Sequence, residues 1–427
     1  MPFPDAGKID TLISQNMFKS LLTTAAVFFF YTSLTFAQSQ DAMLRADITF
    51  LASDAMQGRE TGTPFQDVAA AYIGSRFMQL GLKPMGDSDS YLQTFYYHVP
   101  DDPHTSRPKG KEAKDSVRII NVIGMLDNHA AKTIVIGAHF DHLGMGDNGF
   151  SLSTEKGIHN GADDNASGVA AIIALAGKLK NRGGAAYNYL FISFSGEEYG
   201  LWGSNYFTKH PTIDLKNVAA MINLDMVGRM KPDHSVMVGG IGTSPVWKDL
   251  LEKNNVSNLQ QTFDSSGTGP SDHTSFYFQN IPVLFYFTGQ HGDYHKPTDD
   301  VEKINFEGVE KIVANIDALL SGLNQVHDIP FLKTKEEKDQ KVELKVTLGI
   351  MPDYMYSGAG LRIDGVKEGR PAAEAHLQQG DVIQQLGSHD ITDIQSYMKA
   401  LNALKPGDKV SIKYLRGEQE QTGTVQF

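Results

Sequence analysis

Between Ile119 and Val326 the chain alternates short, almost wholly apolar runs with longer amphipathic stretches. The runs Thr133–Ala138, Asn188–Ser195, Ala219–Leu224 and Pro282–Thr288 are rich in Ile, Val, Leu and Phe, as strands buried on both faces should be. Between them lie helical patterns such as Gly168–Leu179 and Phe306–Leu323. That alternation predicts βαβ units and an α/β fold, a mostly parallel central sheet flanked by helices. Ahead of it the pattern predicts a helix over Asp41–Ser53, a polar Gly-rich stretch over Gln57–Gly62, and a second helix over Gln66–Leu80 closed by Gly81. Tyr97–Ser116, broken by Pro100, Pro103 and Pro108, reads as an exposed loop.

After Asp328 the pattern changes. Residues 329–341 hold a dense run of charge and read as a linker. Residues 342–427 then show short strand patterns (Glu343–Ile350, Leu361–Val366, Asp381–Leu386, Lys409–Tyr414) and one helix, Ile394–Leu404. They predict a small β-rich domain following a main domain over 41–328.

At the other end, Leu21–Ala37 is apolar and closes on Thr35-Phe36-Ala37, a small-x-Ala pattern. Residues 1–37 therefore read as a signal peptide. Met17, followed by Phe18 and Lys19, is the expected true start, because Asp5 and Asp10 do not suit a basic leader. The run is short for a membrane anchor, so a secreted or periplasmic protein without stable membrane association after cleavage is expected.

Composition narrows the chemistry. A chain of 427 residues exceeds one comfortable core, consistent with two domains. Hydrophobic residues at 41% and charged residues at 21% describe an ordinary globular protein. A formal charge of -12 argues against nucleic acid as a partner. With no cysteine, any metal must be held by His and carboxylates.

Candidate ligands stand just past the apolar runs. His139 and Asp141 follow the first, Glu197 and Glu198 the second, Asp225 the third, and Tyr294-His295 come soon after the fourth. Asp163 and Asp164 open the helix at Gly168. In open α/β sheets ligands collect at the carboxyl ends of the strands, so these side chains should share one crevice. Each motif alone has a bland reading: a surface HxD pair, a helix cap, paired acids on an exposed turn, a loop histidine. The order His, Asp, Glu, Asp, His across successive elements does not follow from those separate readings. It predicts a metal site in which one glutamate ligates and its neighbour accepts a proton from an activated water. Asp141 would stand behind His139 and fix its tautomer.

The motifs AHFDH, NGADDNASG, SGEEYG, NLDMVG, SDH and DYHKPTDD together resemble the secreted di-zinc aminopeptidases, a family that also contains glutamate carboxypeptidase and glutaminyl cyclase. The resemblance implies two zinc ions, one on His139 and Asp225, the other on Glu198 and His295, with Asp164 bridging. It implies Glu197 as general base and Asp141 as the partner of His139. Some members place an oxyanion-stabilising tyrosine ahead of the Ser-Asp-His motif, where this chain has Gly267-Thr268-Gly269-Pro270. Tyr294 is the replacement candidate. The C-terminal unit resembles a PDZ domain, with Leu348-Gly349-Ile350 matching the loop that receives a chain terminus.

The implied function is removal of N-terminal residues from peptide substrates, with a peptide or protein C-terminus as a further partner of the PDZ-like unit. Two alternatives are a glutaminyl cyclase-like enzyme with one zinc, and a peptide-binding PDZ protein on an inactive scaffold.

Overall fold

The computed structural model describes residues 42–98 and 116–334, and in the C-terminal unit 346–352, 356, 358–366, 369–392, 394–417 and 419–427. The expected signal peptide with its start at Met17, residues 99–115 of the stretch Tyr97–Ser116, and residues 335–341 of the expected linker lie outside the described residues.

Nine strands form the main sheet among the described residues. They are β1 (Lys83–Pro84), β2 (Leu92–His98), β3 (Ser116–Leu126), β4 (Thr133–His139), β5 (Asn188–Phe194), β6 (Val218–Leu224), β7 (Ser235–Gly239), β8 (Gln260–Phe263) and β9 (Val283–Phe287). Their order is β1-β3-β5-β4-β6-β9-β7-β8, with β2 also on β3. The central block β5-β4-β6-β9 is parallel throughout, while β3 meets β5, and β7 meets β9, antiparallel. Parallelism at the centre decides where the site lies. All four strands end on the same edge, with His139 level with Phe194 and Leu224 level with Tyr286.

Alternation of side chains explains the apolar runs. In β5, Tyr189 and Phe191 enter the larger core, while Leu190, Ile192 and Phe194 enter a second core on the opposite face. The first face is covered by the helices Pro64–Gln79, Gly168–Arg182 and Phe306–Leu323. The second is closed by Phe207 and Phe276. Each large apolar side chain enclosed this way contributes roughly 1.5–3 kcal/mol. The helix Phe306–Leu323 starts where Asn305 accepts a hydrogen bond from the Gly308 amide at 3.0 Å.

Two elements depart from expectation. Leu92–His98, not predicted as a strand, pairs with β3 over seven residues. The first part of the expected linker is docked: Ile329 is buried in the main core and the Leu332 amide donates to the Thr243 carbonyl at 2.7 Å.

The C-terminal unit has its own core of Leu348, Ile363, Ile383, Leu386, Ile412 and Val425. Its strands run in the order 350–352, 361–366, 382–386, 409–416 and 419–426. The last, Gln419–Gln426, was not predicted because only Val425 of that polar run is buried. Among the described residues no helix is long and apolar enough to cross a membrane.

Candidate metal centre

The loops leaving the central strands bring His139, Asp164, Glu197, Glu198, Asp225 and His295 together. His139 Nε2 lies 3.2 Å from Asp164 Oδ1 and 3.2 Å from Asp225 Oδ1. His295 Nε2 lies 3.3 Å from Asp164 Oδ2 and 3.1 Å from Glu198 Oε2. Asp164 thus gives one oxygen to each of two imidazoles. A tetrahedral ion with bonds of about 2.0–2.1 Å holds its ligands roughly 3.3 Å apart, which is the spacing seen. The buried His295 Nε2 has no hydrogen-bond partner, although carboxylate oxygens stand around it. Four carboxylates in so enclosed a place call for added positive charge. The donor set therefore fits two cations.

The neighbouring elements fix each candidate ligand. Asp164 sits in the turn before the helix Gly168–Arg182, and that turn hangs from Asp299. A carboxylate oxygen of Asp299 accepts from the amides of Asp163 at 3.0 Å and Asp164 at 3.1 Å. Asp163 itself faces away from the ligands. It accepts from the Gly228 amide at 2.6 Å and meets His291 Nε2 at 3.2 Å. Asn165 binds the Leu224 carbonyl and accepts from the amides of Gly168 and Met226, tying the turn to the end of β6. Asp225 is held by the Ser271 hydroxyl at 2.7 Å. His295 adopts a left-handed backbone with φ 54, a strained setting for this residue, and stands 3.1 Å from the Phe150 carbonyl through Nδ1. The Tyr294 ring stacks on it, ring centroids 3.8 Å apart.

Asp141 stands differently from the simple carboxylate–histidine arrangement. His139 Nδ1 is 3.2 Å from the backbone carbonyl of Asp141 but 3.7 Å from its carboxylate. The carboxylate instead accepts from the Glu197 amide at 3.2 Å and the Thr61 hydroxyl at 2.9 Å.

Electrostatics divides the adjacent glutamates. Burial raises the Glu197 carboxyl well above its ordinary range, opposed by His139 and reinforced by Asp225 and Glu198. Burial also acts on Glu198, but His295 and His142 outweigh it and hold that carboxyl below its ordinary range. A carboxyl of raised proton affinity beside one held ionised is the kind of pair whose environments push two acids into different roles.

Sequence reasoning passed over several residues here. His142, buried, has Nδ1 2.7 Å from Glu198 Oε1 and 3.8 Å from Asp164 Oδ2, so it joins the second cluster. Its place in AHFDH, one turn past His139, was the available signal. Arg59 is fully buried and donates to the carbonyls of Leu51, Phe140, Asn160 and Gly161. It lies far from the ligands in sequence, and only the structure reveals it.

In the C-terminal unit, Leu348-Gly349-Ile350 leads into the first strand. Gly349 has φ 75, and the Arg370 side chain lies where a Cβ would project.

Comparison with known proteins agrees with this arrangement. Residues 121–320 match Peptidase family M28, and residues 333–427 match the PDZ domain. A probable leucine aminopeptidase of Arthroderma otae is 36% identical over 200 residues, covering 44% of this chain and 52% of the relative. The chain spans about half the length of the curated relatives it matches. Among solved structures, BSAP, a zinc aminopeptidase from Bacillus subtilis, superposes with a TM-score of 0.52 at 17% identity, covering 70% of this chain and 96% of that one. Porphyromonas gingivalis glutaminyl cyclase gives 0.52 at 15% identity, over 67% of this chain and 98% of that one. At such identities these structures share the fold. The segment similar to Peptidase family M28, residues 121–320, is the one that carries the candidate ligand cluster from His139 to His295, and the segment similar to the PDZ domain is the C-terminal unit.

Proposed function

We propose that the protein is a secreted or periplasmic zinc-dependent aminopeptidase with a two-ion centre. One ion would be held by His139 and Asp225 and the other by Glu198 and His295, with Asp164 shared between them. The observation that carries this reading is Asp164, whose two oxygens face two imidazoles at 3.2 and 3.3 Å. When bound, the ions supply charge at the scissile carbonyl and lower the pKa of the attacking water to about 7.

Glu197 does the proton work. Its carboxylate, 4.0 Å from His139 Nε2 and beside the proposed ligands, is placed to take the water's proton and return it to the leaving amine. Glu198 stays ionised and holds its place. Asp141, through the Glu197 amide, orients the turn that carries both. Tyr294 is proposed to steady the developing oxyanion, while its ring stacks on His295. In the PDZ domain, Leu348-Gly349-Ile350 is proposed to receive a C-terminal carboxylate.

A one-ion glutaminyl cyclase is the rival, since the fold matches both kinds of neighbour equally at a TM-score of 0.52. A carboxylate with one oxygen toward each of two imidazoles favours the two-ion reading over it. The deciding experiment is metal analysis together with a panel of aminoacyl chromogenic substrates, with and without chelator. Two ions per chain and chelator-sensitive release from unblocked substrates support the reading. One ion, with cyclisation of N-terminal glutamine, replaces it.

A further inference from the structure

The turn Asp54–Arg59 and the residues just after it lie outside the matched peptidase segment, which starts at residue 121. Yet Thr61 touches both loops that carry the proposed chemistry. It is fully buried, and its hydroxyl makes three contacts: Asp141 Oδ2 at 2.9 Å, the Gly196 amide at 3.0 Å and the Ser195 hydroxyl at 3.0 Å.

A hydroxyl has one proton to give. The Ser195 hydroxyl donates to Gln66 Oε1 at 2.7 Å, and Gln66 Nε2 is turned to the Arg118 carbonyl. The Asp141 carboxylate can only accept. The Thr61 proton therefore goes to Asp141, and the Thr61 oxygen accepts from the Gly196 N–H. Direction is thus fixed along the chain of contacts from Gly196 through Thr61 to Asp141. The other Asp141 oxygen accepts from the Glu197 amide, which closes a ring around the first residues of the Gly196-Glu197-Glu198 turn. Asp141 also lies beside His139, its carbonyl 3.2 Å from Nδ1.

We propose that Thr61 is a positioning residue of the metal centre: its hydroxyl locks the His139–Asp141 loop to the Gly196–Glu197 turn, setting the ligand imidazole and the base against each other. It touches neither substrate nor ion. The inference rests on the two-ion reading above and extends the functional unit into the N-terminal segment.

The discriminating pair is Thr61→Val, which keeps the shape and loses the hydroxyl, and Thr61→Ser, which keeps the hydroxyl. Partners of this kind typically contribute about 10–100-fold to metal affinity or activity. In the full chain, Thr61→Val should bind zinc about 10–100-fold more weakly at one of its two sites, measured by competition with a chromogenic chelator. In saturating zinc its kcat should remain lowered while KM changes little, and Thr61→Ser should restore both. If Thr61→Val does not fold, Thr61→Ala is read in the same way. Wild-type affinity and kcat in Thr61→Val would overturn the proposal. So would a Thr61→Ser protein as impaired as Thr61→Val, or failure of both the Val and Ala variants to fold, since each makes the residue a packing element. Wild-type protein that binds fewer than two zinc ions would instead overturn the two-ion reading, and zinc titration of the wild type separates the two failures.

Discussion

His142 Nδ1 lies 2.7 Å from Glu198 Oε1, which leaves Oε2 of the same carboxylate to face His295 at 3.1 Å. The ligand pairs at the centre stand at 3.1–3.3 Å, so the shorter contact is a hydrogen bond rather than the edge of a coordination shell. His142→Ala should therefore weaken zinc at the Glu198 site by about 10–100-fold without lowering the stoichiometry in saturating zinc. His142→Asn, which can place a donor near the same spot, should lose less. Metal analysis at two zinc concentrations checks this. One ion per chain in saturating zinc would make His142 a ligand.

Glu197→Gln keeps the shape of the side chain and removes the proton acceptor. Turnover should fall by about 10²–10⁴-fold with metal content near wild type. Glu198→Gln should lose metal as well as activity. Steady-state kinetics alongside elemental analysis separates the two roles. A Glu197→Gln enzyme with most of its turnover would reverse the assignment.

His273 is buried against Phe285, the ring centroids 4.5 Å apart, and burial pushes its pKa down to about 3. The folded state thus disfavours the charged imidazole, whereas the unfolded chain protonates near pH 6.5. The associated stability is fully present above about pH 6.5 and is lost as pH falls toward 3. At pH 5 the loss from this one group should be about 2 kcal/mol. His273→Phe keeps a stacked ring and removes the titration. Urea melts of metal-free protein at pH 7 and pH 5 should show the variant losing about 2 kcal/mol less than wild type.

If the PDZ domain holds the far end of a substrate, its loss acts through effective concentration. Gly349→Val forces a side chain into the space of Arg370 at a φ of 75. In the full chain it should raise KM for longer peptides and leave single-residue chromogenic substrates unchanged. Equal kinetics on both substrate lengths, wild type against variant, would remove the tethering role.

Much of the fold was legible because β4, β5, β6 and β9 are buried on both faces and so write continuous apolar runs. Their acidic and histidine followers could be read for the same reason: parallel strands place what comes next on one edge. β2 was missed because it sits at the margin of the sheet, with Tyr96 exposed and Phe95 buried. The supports of the site were illegible for a different reason. Thr61, Gln66 and Asp299 act across 80, 129 and 136 residues of chain, and no local pattern encodes such distances. That the Asp141 carboxylate lies nearer the Glu197 amide and the Thr61 hydroxyl than His139 was invisible too, because it depends on a few tenths of an ångström.

Arg59 carries this further. Its guanidinium has been taken out of water, with burial lowering its pKa to about 10, and its hydrogen bonds run to carbonyls of residues 51, 140, 160 and 161. Opening any one of those segments alone would strand a buried cation without its acceptors. The end of the first helix, the strand that delivers His139 and the approach to the Asp164 turn are therefore bound into one cooperative unit. Their amide protons should exchange with solvent only when that whole unit opens. The segments that carry the candidate ligands are thus tied to an opening event that no one of them can undergo alone.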